Sequence, residues 1–303
     1  MRISASSYSN TAPLIWSFLY GKNHGKVELI LDNAPSRSAE LLAQNRVDAA
    51  LVPVIAFQMI DGVRLIPDVC VGAKKRVRSV CLITKGEDLA DVRSVALDTS
   101  SKTSAILTKI IFREFLGFEP EWKDAAPDLS AMLANSDAAL LIGDPALSIA
   151  DRGMQIADLS EPGAIATGSN PADRGMRSAD LSKPGAIATG SYNPNSKIQN
   201  LKSFDLAELW HQHTGLGFVF AMWMTRHEKC AIDFAAARDE GLAHIDEIVA
   251  NYDSEIGLDA AEIREYLSKN ISYSIDSDMH SGMDLFFELA SKNGFVDNNH
   301  KLS

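Results

Sequence analysis

Between residues 2 and 60 the chain alternates short apolar runs with segments of helical character, and no other feature constrains its fold as strongly. Arg2 to Tyr8 reads as a strand. Asn10-Thr11-Ala12-Pro13 then turns into a helix, because proline is preorganised for a first helical turn. Val27 to Asp32 is a second strand. Pro35-Ser36 opens a helix that runs to Gln44, with Ala39, Leu42 and Ala43 on one side. Val47 to Val54 is almost continuously apolar, as expected of a strand covered on both faces. The order β-α-β-α-β implies an open, mostly parallel sheet with helices on its faces.

A second set of the same kind follows. Ser79 to Thr84 is an apolar strand, and Ser94 to Leu97 another. Asp98 to Ser104 is a polar turn into a helix from Ala105 to Phe115, with Ile106, Ile110 and Ile111 on one face. Ala138 to Ile142 reads as a buried strand closed by Gly143-Asp144-Pro145. Phe204 to Trp210 is helical. The apolar run Gly217 to Thr225 is placed to carry the chain back to the first set, and the remainder, from about 231 to 291, is helical. With 303 residues and 46% hydrophobic composition there is enough chain for two cores. The expected layout is α/β and two-lobed: residues 1–85 and 223–303 form the first lobe and 86–222 the second. Each lobe is a mostly parallel sheet flanked by helices, and a ligand cleft lies between them.

Residues 151–194 stand apart. Asp151 to Ser169 recurs almost unchanged as Asp173 to Ser191. Two copies are too few for a solenoid. Rich in Gly, Pro, Ser and Asn, the stretch reads as a tandem duplication within a surface loop, with a functional lid as the alternative.

Charge narrows the class of partner. The 29 Lys and Arg face 40 Asp and Glu, a net charge of −11, which leaves no basic face for nucleic acid or an anionic membrane. An anionic small molecule remains compatible, since backbone N–H groups and helix starts make a cleft locally positive. Cys70, Cys81 and Cys230 form no CxxC pair and suit a reducing compartment as buried thiols. The N-terminus lacks an apolar signal core and no run has the length of a membrane span, so a cytoplasmic location is expected. His211-x-His213 has no further ligand at zinc spacing and reads as an exposed helix surface, so no metal is expected. Oligomeric state has no signature in the sequence.

Six segments, in order, carry a resemblance. They are Ser7-Tyr8-Ser9-Asn10-Thr11-Ala12-Pro13-Leu14; Pro35-Ser36 followed by Val47-Asp48-Ala49-Ala50-Leu51-Val52-Pro53; Val77-Arg78-Ser79-Val80; Leu97-Asp98-Thr99-Ser100-Ser101-Lys102-Thr103-Ser104; Leu141-Ile142-Gly143-Asp144-Pro145-Ala146-Leu147; and Asp205-Leu206 with Trp210 and Thr214 to Ala221. Together they resemble the chorismate dehydratase family of the futalosine route to menaquinone, whose fold is like that of type II periplasmic binding proteins. One departure is Gly217, where the family usually has proline. The resemblance implies a carbon–oxygen lyase that removes water from chorismate to give 3-[(1-carboxyvinyl)oxy]benzoate, with no cofactor and a small dicarboxylate as its partner. Two other readings share the fold: a non-catalytic solute-binding protein for a small carboxylate, and the dihydroxynaphthoate-forming enzyme of the same pathway. A ligand-sensing domain is a further one, but no DNA-binding module accompanies it.

The matched segments supply the candidate site. Asn10 follows the first strand at the edge where open sheets bind ligands. Its amide either donates to a carboxylate or a departing hydroxyl, or bonds its own turn. Ser79 begins an apolar strand, and the resemblance makes it a cleft residue. Asn10 and Ser79 are the expected catalytic pair. Ser101, Thr103 and Ser104 sit at a strand-to-helix corner, where they either cap the helix or hold a carboxylate. Ser36 is a similar case, and Gly143 and Asp144 end a strand at the same edge. The proton acceptor is either Asp144, or the enolpyruvyl carboxylate of the substrate held in place by neutral donors.

Overall fold

The computed structural model describes residues 1–86, 88–150 and 201–297. The duplicated stretch at 151–194, with its loop and lid readings, lies outside the described residues. Two five-stranded sheets organise the described residues. The first has the order β2 (Glu28–Asp32), β1 (Arg2–Ser6), β3 (Ala49–Pro53), β10 (Phe218–Thr225), β4 (Arg64–Ala73). The second has the order β7 (Glu121–Ala125), β6 (Ser94–Asp98), β8 (Ala138–Ile142), β5 (Val80–Thr84), β9 (Lys202–Asp205). The two plans match. In each sheet four strands run one way and the fourth in spatial order runs against them, β10 in the first and β5 in the second. Each reversed strand is the first strand after the chain crosses from the other sheet. β3, β5 and β8 are buried at every position, as their unbroken apolar sequences require.

The helices follow the expected signals and extend them. α1 (Ala12–Leu19) and α2 (Pro35–Ala43) each carry proline in the first turn. Beyond β3, α3 (Ala56–Met59) is a single turn. α4 (Lys102–Ile110) follows β6, and α5 (Leu129–Asn135) precedes β8. The expected stop at Gly143-Asp144-Pro145 is instead the start of α6 (Gly143–Ala150), because proline is tolerated in a first turn. α7 (Leu206–Thr214), α8 (Phe234–Ala243), α9 (Ile245–Ile256), α10 (Ala260–Glu265) and α11 (Ser277–Lys292) complete the fold. α10 opens with a capping box between Asp259 and Glu262 and runs into a widened π-helical turn, Tyr266–Asn270.

Sheet membership moves the lobe boundaries from those expected. Val80–Thr84 pairs with β8 and β9 rather than joining the first lobe, and Phe218 to Met222 already belong to the first sheet. An all-buried strand fits either sheet by composition, so only its partners decide. The crossings are therefore residues 74–79 and 206–217. Asp205 ties them together: Oδ2 accepts from the backbone N–H of Val77 (3.0 Å) and Arg78 (2.6 Å), and Oδ1 caps α7 through Ala207 and Glu208. Beside it the Trp210 indole donates to the Gly217 carbonyl at 3.2 Å, and Trp210, Phe218 and Phe286 stack edge to face. Gly282 of α11 lies directly on the Gly217 carbonyl, an approach that any side chain at 282 would block. α11 then reaches the second lobe, where Lys292 pairs with Glu114 at 2.7 Å. Among the described residues no helix is long and apolar enough to cross a membrane.

Candidate active site between the lobes

The carboxyl ends of the central strands of both sheets meet at one seam. From the first lobe comes the turn after β1, Tyr8-Ser9-Asn10; from the second come Ser79, at the entry to β5, and Gly143-Asp144, at the exit of β8. Antiparallel pairing of Val80 with Ile142 sets Ser79 opposite Gly143, and the Gly143 N–H donates to the Ser79 carbonyl at 2.8 Å. Gly143 has φ +65° and a Tyr8 ring packed where a Cβ would stand, so only glycine fits. The Asp144 carboxylate accepts from the Ser9 N–H at 3.1 and 3.2 Å and from the Ser9 hydroxyl, joining one lobe to the other. Tyr266, fully buried, brings its hydroxyl beside Ser79 and Asn10 without a hydrogen bond of ordinary geometry to either. The Thr11 hydroxyl donates to Asn10 Oδ1 at 3.3 Å and fixes the direction of that amide.

A second group lies along the same seam. The start of α2 faces the start of α4. The Ser36 N–H donates to the Ser100 carbonyl at 3.2 Å, and the Ile55 N–H donates to Thr103 Oγ1 at 3.2 Å. Both bonds join one lobe to the other. Ser101 caps α4 by accepting from the Ser104 N–H, and its hydroxyl donates to Ser104 Oγ at 2.9 Å. The capping alternative for Ser101 is thus realised, and Ser104 is engaged by the cap. Thr103 is the member of this corner that faces the opposite lobe. Tyr8 connects the two groups, since its phenol lies beside the Ser100 hydroxyl and the Asp98 carboxylate.

One buried acid shapes the field here. Asp98, 1% exposed, ends β6. Its Oδ1 accepts from the Ser100 N–H at 2.8 Å, while Oδ2 has no partner among the described residues. Burial pushes the Asp98 carboxyl above its ordinary value, toward the protonated form, against the pull of the N–H groups of Ser100 and Ile142. Burial likewise raises the phenols of Tyr8 and Tyr266, so both act as donors rather than bases. A raised native value means that Asp98 favours folding at low pH, and that this contribution is lost as pH rises through the native value from the ordinary 3.8 upward. Asp98→Asn is therefore expected to raise Tm at pH 8, with the difference from wild type shrinking as pH falls toward 4; equal Tm values at pH 8 would contradict a buried charge at this position.

All eight expected site residues lie along this seam. Asn10, Ser79, Gly143 and Asp144 form one group, and Ser36, Ser101, Thr103 and Ser104 the other. The sequence alone did not single out Tyr8, Ser9, Asp98, Ser100 or Tyr266. The first four lie inside matched segments, but Tyr266 lies far outside them, and no local pattern marks it. His211 and His213 sit in the last turn of α7, where His211 Nδ1 lies 3.2 Å from the Leu216 carbonyl and His213 stacks on Phe115. Of the cysteines, Cys70 and Cys81 are buried and Cys230 is half-buried.

A family profile described as menaquinone biosynthesis matches residues 1–163 and 194–292. The chain belongs to this family. The stretch the profile skips, 164–193, contains the whole second copy of the repeat. A chorismate dehydratase from Thermus thermophilus is 28% identical over 291 residues, which cover 93% of this chain and 92% of that protein. Among solved structures, a protein from Archaeoglobus fulgidus superposes with TM-score 0.65 at 15% identity, covering 97% of this chain and 98% of its own. The periplasmic aliphatic sulphonate-binding protein of Escherichia coli gives 0.56 at 15% identity, with coverage of 98% and 88%. A Candida albicans protein described as having the generic periplasmic binding protein fold gives 0.60 at 11% identity, covering 99% and 92%. The family's fold is therefore that of the periplasmic binding proteins, two lobes around a cleft.

Proposed function

We propose that this member of the menaquinone biosynthesis family is a chorismate dehydratase, a lyase that expels water from chorismate to form 3-[(1-carboxyvinyl)oxy]benzoate in the cytoplasm, on the futalosine route. The observation that carries the reading is the seam itself: Asn10, Ser79 and the Thr103 corner, brought from two lobes to one buried stripe, in a chain that matches a chorismate dehydratase over nearly its whole length. The product ring is aromatic, so the reaction runs downhill, and the enzyme has to position the substrate rather than drive it.

The chemistry asks for two carboxylate sites, a grip on the departing hydroxyl and a proton acceptor. Helix starts at Ser36 and at Thr103 suit the carboxylates, because their N–H groups and helix dipoles favour anions. In the closed arrangement the Ser36 and Ile55 N–H groups are held by acceptors of the other lobe, so a carboxylate entering an opened cleft exchanges one acceptor for another and leaves no donor unpaired. Asn10 and Ser79 are neutral donors suited to the reacting end. Asp144 is occupied by Ser9, which favours the enolpyruvyl carboxylate of the substrate as the base. Asp144→Asn retains an oxygen for Ser9, so kcat is expected to fall less than about tenfold, whereas a loss of about 10⁴ would make Asp144 the proton acceptor.

The test is to incubate the purified full chain with chorismate across a pH series and follow the aromatic enol ether by absorbance and mass. Its formation supports the reading. Tight binding without product would turn the assignment to a solute-binding protein.

A further inference from the structure

Tyr266 stands at the seam but belongs to no matched segment. It is 0% exposed and stands at the first position of the π-helical turn after α10. Its hydroxyl has no hydrogen-bond partner among the described residues. Neither has the Ser79 hydroxyl, also 0% exposed. The two orphaned hydroxyls are neighbours, and the Asn10 amide adjoins them. A buried hydroxyl without a partner costs free energy, and native chains keep few of them. Two such groups together at an interlobe seam indicate that a third polar group comes between them when the site is in use. A single π-helical turn is the kind of local irregularity that redirects a side chain toward a functional centre.

We infer that the Tyr266 hydroxyl contacts the substrate, gripping with Ser79 the ring hydroxyl that the reaction expels. The inference rests on the chorismate dehydratase reading and adds a residue to it. The group is a donor, since burial and the nearby Asp144 carboxylate keep the phenol protonated. A neutral donor aimed at a departing hydroxyl stabilises the charge that develops there as the C–O bond lengthens. The aromatic ring is a separate matter: it is part of the buried hydrophobic core.

Tyr266→Phe separates the ring from the hydroxyl. In the full chain it keeps the packing and deletes only an unpartnered group, so Tm without substrate is expected to equal or exceed that of wild type. With chorismate, kcat is expected to fall about 10²-fold while KM changes by less than about threefold. The thermal shift produced by chorismate should also be smaller than in wild type. A purely structural tyrosine would give the opposite pattern, a lower Tm with kcat intact. If wild type turns chorismate over and Tyr266→Phe does so within twofold, Tyr266 is not a contact and the dehydratase reading stands. If wild type binds chorismate without product, an equal thermal shift in both proteins excludes the contact and a smaller shift in the variant retains it. If wild type neither binds nor converts chorismate, the reading itself fails and the contact with it.

Discussion

Asn10→Ala is expected to lower kcat for chorismate about 10²- to 10³-fold, with little change in stability. The expectation follows from how the side chain is held. Asn10 sits in the tight turn between β1 and α1, where the Thr11 hydroxyl, itself 2.9 Å from Ser6 Oγ, bonds Oδ1. That contact engages Oδ1, and the amide adjoins the Tyr266 hydroxyl. A preset donor gives more to a transition state than to a ground state, because it need not reorganise as charge develops. Alanine removes the donor and one long hydrogen bond of 3.3 Å from a half-buried turn, so folding changes by about 1 kcal/mol or less. Asn10→Asp tests the sign of the group. It places a second carboxylate in the neighbourhood of Asp144 and of a dianionic substrate, and should reduce kcat/KM at least as far as alanine does. Steady-state kinetics on both variants, with Tm measured in parallel, decide the matter; a kcat for Asn10→Ala within about threefold of wild type would remove Asn10 from the reacting centre.

Much of this site could be read from sequence because it is built from strand ends, and strand ends announce themselves locally. Asn10 after β1 and Ser101 before α4 lie where an apolar run meets a turn, and the structure keeps them there. What stayed hidden depends on distance. Asp98 reads as the first residue of a polar turn, yet it is the last residue of β6 and almost fully buried, because the other lobe closes over it. Tyr266 reads as one aromatic in a C-terminal helix; its meaning comes from Ser79 and Asn10, remote in sequence. The lobe boundary was misplaced for a related reason. A strand such as Val80–Thr84 has no polar side to say which sheet it joins, and the crossing that precedes it is short. Three of the four margin strands were missed: Glu121–Ala125 is mostly polar, Lys202–Asp205 is brief, and Arg64–Ala73 is interrupted by Pro67-Asp68. Proline in Gly143-Asp144-Pro145 misled by serving equally well as a helix stop and a helix start.

Asp205→Ala is expected to destabilise the protein by about 3–5 kcal/mol, the largest effect on folding foreseen for a single residue outside the hydrophobic core. Asp205 is 6% exposed and its two oxygens do separate work. Oδ1 caps α7, a role whose loss costs about 1 kcal/mol. Oδ2 accepts from Val77 and Arg78 in the other crossing, at 3.0 and 2.6 Å, and its removal takes the acceptor from one buried and one half-buried N–H group, together about 2–4 kcal/mol. Arg78 has φ +64°, an uncommon conformation for a residue with a side chain, and the bond to Asp205 braces the crossing there. Asp205→Asn divides the two roles. Its amide oxygen can serve one pair of N–H groups and its NH₂ opposes the other, so it should lose an intermediate amount. The same brace sets the direction in which Ser79, one residue beyond Arg78, enters the seam. A loosened crossing is therefore expected to lower kcat in Asp205→Asn even under conditions where that variant is fully folded. Urea denaturation gives the stabilities and turnover in dilute buffer gives the rates; an alanine variant within about 1 kcal/mol of wild type would show that the two crossings hold their course without the carboxylate between them.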